Sequence, residues 1–462
     1  MTAGAHRPVD LLGAVLVLSV TSFSVLQGIV VPALPTMAVH LHSTTSGVTW
    51  VFTAYLLSAS VATPVLGRVG DLYGMRRTYL GILAALAAGC LLAALAPGLP
   101  AMIAARVLQG AGGGVLPLAF GVIRAAYPPA RVSARITVVA AVAFGGAGLG
   151  TAVAGPVLDH LGYVWLFLVP MTMTVGSAVA AAFVLPVTRR TGGAGLNIGA
   201  VLLMSTWLVA LLLVISEGNA WGWSSPYVLG LVPVGMVAAL GWATAELRSR
   251  VPLVDLRMLR RRAIVVANLA ALLLGAAMFG NNLVIQVLLQ SPGTSYGFGL
   301  TVTVSSLVAL PQQALVFLVG LGCGAVVRRI GYRVTLAAGG LINGLGITLT
   351  VVARDNLVTV CLCTALCGIG LGLAFTALAL LVVAVVPPEQ TGVASGTNAN
   401  VRSIGGAVGT SATATILSAT AIAGTPAESG VMLSLAFFAV AAALSGLAGL
   451  LLPRVVAHHA AA

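Results

Sequence analysis

Gly67-Arg68-Val69-Gly70-Asp71-Leu72-Tyr73-Gly74-Met75-Arg76 is a charged island between two long apolar stretches, and it has an echo. At Gly324-Ala325-Val326-Val327-Arg328-Arg329-Ile330-Gly331-Tyr332-Arg333 the two glycines and the final arginine return at the same spacing. Each island separates one apolar segment from the next. A helix needs about 20 consecutive apolar residues to cross a bilayer core. The islands therefore read as loops between membrane helices. Their repetition divides the chain into two homologous halves related along the membrane normal.

Outward from the islands the chain is almost wholly apolar. Of 462 residues, 59% are hydrophobic and 7% charged, with a mean hydropathy of +1.10. A soluble domain carries about 25% charged residues, so these charges are too few to cover a water-facing surface. In lipid every backbone polar group must be satisfied within helices or a closed barrel. The apolar runs are long and continuous rather than alternating, which selects helices. About fourteen segments have the length. Their cores start at Leu11, Trp50, Tyr79, Pro100, Ile136, Val164, Leu196, Tyr227, Ile264, Thr301, Val334, Leu357, Val393 and Val431. The first ends in Val30-Val31-Pro32-Ala33-Leu34-Pro35, without a small-residue cleavage pattern, and reads as a retained helix.

The net charge is +13, and every one of the 22 basic residues is Arg. The arginines alternate in side from loop to loop. Arg7, Arg68/Arg76/Arg77, Arg124/Arg131/Arg135, Arg189/Arg190, the run from Arg248 to Arg262, Arg328/Arg329/Arg333 and Arg454 fall on one side. The other side carries Arg354 with Asp159, Glu217, Asp355 and Glu428. The positive-inside rule then predicts cytoplasmic termini and leaves no argument for nucleic acid. Cys90, Cys323, Cys361, Cys363 and Cys367 all lie in apolar stretches and read as small hydrophobes, with no metal-binding spacing. The expected architecture is an all-α integral membrane protein. A six-helix bundle spans 1–190, a two-helix insert with its linker 191–255, and a second six-helix bundle 256–462.

Four stretches carry a resemblance to the major facilitator superfamily, and within it to the fourteen-helix drug:proton antiporter branch. Gly67 to Arg77 is similar to the signature G-x-x-x-D-x-x-G-R-[RK]. Arg106-Val107-Leu108-Gln109-Gly110 resembles R-x-x-Q-G. Gly146 to Pro156 resembles the antiporter motif ending in Gly-Pro, and Gly392 to Gly406 resembles the thirteenth helix of the branch. The resemblance covers nearly the whole chain. It implies a major facilitator fold in a bacterial cytoplasmic membrane. The implied function is proton-coupled efflux of small organic molecules by alternating access, with the substrate path between the halves. It implies a monomer without cofactor, driven by the proton gradient. Importers and uniporters share the fold, and the Gly-Pro motif favours export over them.

The residues add their own chemistry. Asp71 near a helix end has Arg68, Arg76 and Arg77 beside it, or a neighbouring helix N-terminus, as partners for a charge lock or a plain cap. Arg106 inside a helix costs about 2.5–3.5 kcal/mol on insertion scales and so faces a wet cavity, a partner or the interface; the resemblance links it to proton movement. Gly146, Gly150 and Ala154 recur every four residues, a small-residue face for close packing, while Gly155 and Pro156 suit a bend. Asp159 and His160 follow where the family has a glycine pair, either as proton sites or as solvated groups. Asn398 and Arg402 are four apart and share a face. Gln27, Tyr55, Gln109, Asn281, Asn282, Gln286, Gln312 and Gln313 are further intramembrane polar groups, candidates for the cavity or for interhelical hydrogen bonds. No nucleophile–base pair, paired carboxylates or His-x-x-x-His stands in the membrane region, and no Gly-Lys-Ser/Thr phosphate loop occurs, so neither an enzyme nor ATP use is expected.

One departure bears on mechanism. The family's first helix usually has an acid nine positions before the Pro of its Ala-Leu-Pro motif. Here that position before Pro35 is Leu26. Two readings stay open. Either the cavity favours neutral or anionic solutes, with Asp71, Asp159 or His160 exchanging protons, or coupling is weak and transport approaches facilitated diffusion.

Overall fold

The computed structural model describes residues 7–43, 45–186, 196–249, 252–291, 296–354, 356–421 and 426–452. Among them there are sixteen α-helices and no strand. In order they are α1 (Arg7–His40), α2 (Thr45–Tyr73), α3 (Met75–Ala94), α4 (Leu99–Gly110), α5 (Val115–Ala126), α6 (Pro129–His160), α7 (Trp165–Val184), α8 (Ile198–Trp221), α9 (Pro226–Arg248), α10 (Leu256–Leu259), α11 (Arg262–Gln290), α12 (Val302–Val308), α13 (Leu310–Val352), α14 (Leu357–Val385), α15 (Thr391–Ala419) and α16 (Glu428–Leu450). A 3-10 turn over Ala111–Gly114 joins α4 to α5 into one continuous rod. Arg189, Arg190, Asp355, Arg454 and the side chain of Arg7 lie outside the described residues, as does the expected division at 190.

Helix starts follow local chemistry. Asn197 caps α8 through Ala200 N at 3.1 Å, Ser225 caps α9 through Val228 N at 3.3 Å, and Asn356 caps α14 through Val358 N at 2.9 Å. Each cap satisfies an N–H that the first turn leaves without a partner.

Twelve helical runs among the described residues are long and apolar enough to cross a membrane. Two features separate that number from the fourteen segments in the sequence. The segments expected from Thr301 and Val334 lie in one run, Thr303–Val352. Inside it Gly331 has φ 80 and ψ 164, which is not helical, and splits α13 into two arms. The segment expected from Val393 is α15, whose 29 residues are rich in Gly, Ser, Thr and Asn and too polar to qualify. Its polarity follows from its place: it packs on α2, α5, α8, α11, α14 and α16, so much of its surface meets protein rather than lipid.

The two sequence islands have one backbone answer. Gly74 (φ 102) ends the first and Gly331 (φ 80) the second, both at positive φ, where a side chain is strained. Their leading glycines match as well. Gly67 of α2 lies against the backbone of Gly392 in α15, and Gly324 of α13 lies against Thr137 in α6. The α2–α15 and α13–α6 seams are thus counterparts.

α1 to α7 pack among themselves, most closely α1 on α6 and α2 on α4, followed by α7 on both α1 and α3. α11 to α16 do the same through α13–α14, α11–α15 and α13–α16. α8 pairs with α9 and touches both α2 and α15. Only 11% of the α9 span is buried, so this helix turns almost its whole apolar surface outward. In lipid, helices associate through packing of small residues rather than through water exclusion. Gly150 sits on the backbone of Val25 and Ile29 in α1; Gly275, Gly405 and Gly409 play that part between α11 and α15.

Candidate functional site

The two bundles meet at a narrow cavity, open on one side. Leu116, Pro117 and Phe120 of α5 and Phe144 of α6 line one side; Phe375 and Leu378 of α14 and Ser395, Asn398 and Arg402 of α15 line the other. The α15 residues follow helical spacing, so one stripe of that helix faces the space. Phe144 and Phe375 stack across the seam at 4.9 Å and 21°. The Arg402 guanidinium lies over both rings, 4.8 Å from Phe144 and 5.5 Å from Phe375. Asn398 spends its amide N–H on Ala267 O at 3.3 Å and Asn268 Oδ1 at 3.0 Å, both in α11.

Beside this cavity lies a second polar group. Arg106 is fully buried. Its Nε donates to Val51 O at 3.1 Å, its Nη1 donates to Gln109 Oε1 at 2.5 Å, and its guanidinium sits 4.5 Å from the Tyr55 ring. Gln27 of α1 donates to the Tyr55 hydroxyl. Tyr55 is within electrostatic reach of both Arg106 and Arg402. Three elements, α1, α2 and α4, thus bring Gln27, Tyr55, Arg106 and Gln109 together, and the charge is held by carbonyl, amide and ring rather than by a carboxylate.

The end with the arginine-rich loops is closed by contacts between opposite bundles. A side chain at Gly392 would lie 3.5 Å from Asp71 Oδ1, which places that carboxylate at the first turn of α15. A helix N-terminus carries partial positive charge and free N–H groups, so the anion is stabilised there. Arg124 of α5 donates to Val383 O at 2.6 Å and to Thr391 Oγ1 at 3.0 Å, reaching the end of α14 and the start of α15. Arg76 donates to Ala182 O within its own bundle, Arg77 is exposed, and Arg68 lies within electrostatic reach of Glu246 in α9.

The remaining predicted residues are dispersed. Gly146 and Gly150 both face α1, against Ser24 and the Val25–Ile29 backbone. Gly155 has only Thr303 in van der Waals range at 3.8 Å, and α6 continues through Pro156 to His160. Asp159 and His160 are exposed at the end opposite the arginines. Gln312 donates to Asn282 Oδ1 at 3.5 Å, linking α13 to α11, and Gln290 donates to Gln286 Oε1 at 2.8 Å. Asn281 is buried with its Oδ1 unpartnered.

Sequence reasoning passed over several participants. Phe144 and Phe375 had no polar or motif signal, and Ser395 was not singled out within the Gly392–Gly406 stretch although it lies seven residues before Arg402 on the same helical face. Arg124 read as a loop charge. Glu217 read as a charge of the opposite loops; it is buried within α8, accepting from Thr53 Oγ1 at 3.3 Å. Glu246 anchors the linker by accepting from Leu253 N at 2.8 Å. Tyr163, between α6 and α7, stacks on His40 at 4.1 Å; burial pushes its phenol up against the pull of Arg106, and it stays neutral. Among the described residues no group of His, Cys, Asp or Glu is arranged to hold a metal ion.

Comparison with known proteins adds three findings. The family model described as Major Facilitator Superfamily matches residues 16–410. The Multidrug resistance protein B homolog of Mycobacterium tuberculosis is 29% identical over 391 residues, covering 81% of this chain and 70% of that protein. The Tetracenomycin C resistance and export protein of Streptomyces glaucescens is 25% identical over 386 residues, covering 83% and 71%. In fold, the crystal structure of the human organic anion transporter MFSD10 (TETRAN) superposes with a TM-score of 0.67 at 16% identity, over 96% of this chain and 100% of that one.

Proposed function

This chain belongs to the major facilitator superfamily, and from that premise we propose that it exports small organic molecules across a bacterial cytoplasmic membrane by proton-driven alternating access. The observation that carries the reading is the position of the cavity. It lies on the seam of the two bundles, lined from both, and one end is closed by cross-bundle contacts of Asp71 and Arg124. A solute there touches both moving bodies, as alternating access requires. The resistance and export functions in the names of the two relatives support the outward direction.

In this reading the two arms of α13 are separate crossings and α15 is one more, which makes fourteen in all. α13 has 43 residues, and a straight helix of that length runs about 65 Å, twice a bilayer core. The bundles of 1–190 and 256–462 rock against each other, α8 and α9 form the insert, and both termini are cytoplasmic. Asp71, Asp159 and His160 exchange the protons, and Arg106 holds its network together through the cycle. Each charge crossing 100 mV supplies about 2.3 kcal/mol. No residues with catalytic roles are assigned.

The test is efflux from energised cells that express the chain, using a fluorescent aromatic solute with and without a protonophore. Expression is expected to lower steady-state accumulation at least severalfold, and the protonophore to abolish the difference. Protonophore-insensitive equilibration would replace coupling by facilitated diffusion, and raised accumulation would reverse the direction.

A further inference from the structure

We propose that the cavity between α5, α6, α14 and α15 binds aromatic monoanions, with Arg402 as counter-charge to the ligand's carboxylate or sulfonate. The proposal rests on the export reading for the direction of transport alone.

Arg402 carries five N–H donors and no acceptor. Among the described residues its guanidinium meets two phenyl faces and lies within electrostatic reach of Tyr55, with no ion pair and no hydrogen bond. Ring faces attract a cation but leave its directional donors unused. Arg106, deeper in the same molecule, is the contrast: its donors meet a carbonyl and an amide oxygen. One guanidinium is closed by the protein, and the other presents a fork that fits a planar oxyanion.

Among the residues that line the cavity no acid competes for that fork. The cavity lining contains neither Asp nor Glu. The acids whose side chains are described are occupied or distant: Asp71 at the start of α15, Asp159 at an exposed helix end, Glu217 on Thr53, Glu246 on the linker, Asp255 capping α10, and Glu428 paired with Arg354. A lipophilic cation entering here would meet Arg402 with no carboxylate to offset it. The natural counter-ion for such a cation is missing from the middle of the first helix too, where Leu26 is 1% exposed in an apolar cluster with Ile29 and Val30.

The rest of the lining sets the ligand's shape. Phe120, Phe144 and Phe375 provide flat faces, and Leu116 and Leu378 the apolar edges. Ser395 is 8% exposed, and its hydroxyl lines the space without a hydrogen-bond partner. It offers one donor to a second oxygen on the ligand. One free fork, one hydroxyl and aromatic walls describe a planar aromatic ring bearing a single acidic group. Because Arg402 belongs to one bundle and Phe120 and Phe144 to the other, a ligand that pairs with Arg402 and packs on those rings engages both.

The test is calorimetric titration of the purified full chain with 2-naphthoate, its neutral isostere 2-naphthamide, and tetraphenylphosphonium. Naphthoate is expected to bind saturably and at least tenfold more tightly than the amide. Arg402→Gln should weaken naphthoate at least tenfold and leave the amide unchanged, while Arg402→Lys, which keeps the charge but not the fork, should fall between. Thermal unfolding of both variants checks that they fold. Unchanged naphthoate affinity in Arg402→Gln, or binding of tetraphenylphosphonium with none of naphthoate, would overturn the proposal even if protonophore-sensitive efflux is found. Naphthoate binding lost with Arg402, without efflux, would sustain the anion site and remove the export reading instead.

Discussion

Arg106 and Arg402 solve one problem in opposite ways. A guanidinium in an apolar bundle must find acceptors or face a wet space. Arg106 finds Val51 O and Gln109 Oε1 inside the protein. Gln109 is therefore a supporting residue, and replacing it by Leu leaves Nη1 of a buried cation without its acceptor. Gln109→Leu is expected to cost about 1–3 kcal/mol of stability, read as a lowered unfolding temperature in detergent; an unchanged temperature would show that water replaces the amide. At this scale the sequence announced which side chains were unusual, because Arg, Asn and Gln are rare in apolar segments. It did not announce their partners. Asn398 and Asn268 stand 130 residues apart, and no local pattern links them.

At the scale of elements, glycines set how closely helices approach. A β-carbon at Gly67 would stand 2.9 Å from Gly392 O and 3.0 Å from its carbonyl carbon. Backbone cannot yield as a flexible side chain does, so α2 and α15 would be forced apart. Gly67→Val is expected to hold open the end that Asp71 and Arg124 close. Alkylation of a cysteine introduced at Ser395 should then quicken severalfold from the cytoplasmic face, in inside-out vesicles. An unaltered rate would mean that the seam opens elsewhere. The positive-φ turns at Gly74 and Gly331 were legible as a repeat because their cause is local. The role of α8 was not. Two residues apart, Glu217 takes Thr53 of α2, while Asn219 donates to Ser411 O at 3.1 Å and Thr415 Oγ1 at 2.9 Å in α15. The insert thus straps the seam between bundles, a result of helix rotation and placement rather than of composition.

At the scale of the whole molecule, the apolar surface is continuous where lipid would lie. Leu229, Met236, Val237 and Leu240 of α9 all point outward. The loop arginines collect at one end, and that asymmetry sets orientation. A green fluorescent protein fused to the C-terminus is expected to fluoresce, and alkaline phosphatase at the same point to be inactive, both signs of a cytoplasmic terminus. The reverse pattern would overturn the orientation and with it the assignment of the closed end.

The sequence by itself determined the membrane class, the helical architecture, the two-fold repeat and the small-residue faces. These depend on composition, period and local backbone conformation, all of which are properties of consecutive residues. Only the tertiary structure decided which polar groups satisfy one another and which are left for a ligand. Gln27 is engaged by Tyr55, Gln312 reaches Asn282, and Arg106 is enclosed, whereas among the described residues Arg402 meets ring faces without a hydrogen bond and the Ser395 hydroxyl has no hydrogen-bond partner. The reason is geometric. A hydrogen bond between helices depends on the rotation and height of each helix against the other. Those are settled when the whole bundle packs, and no segment carries them alone.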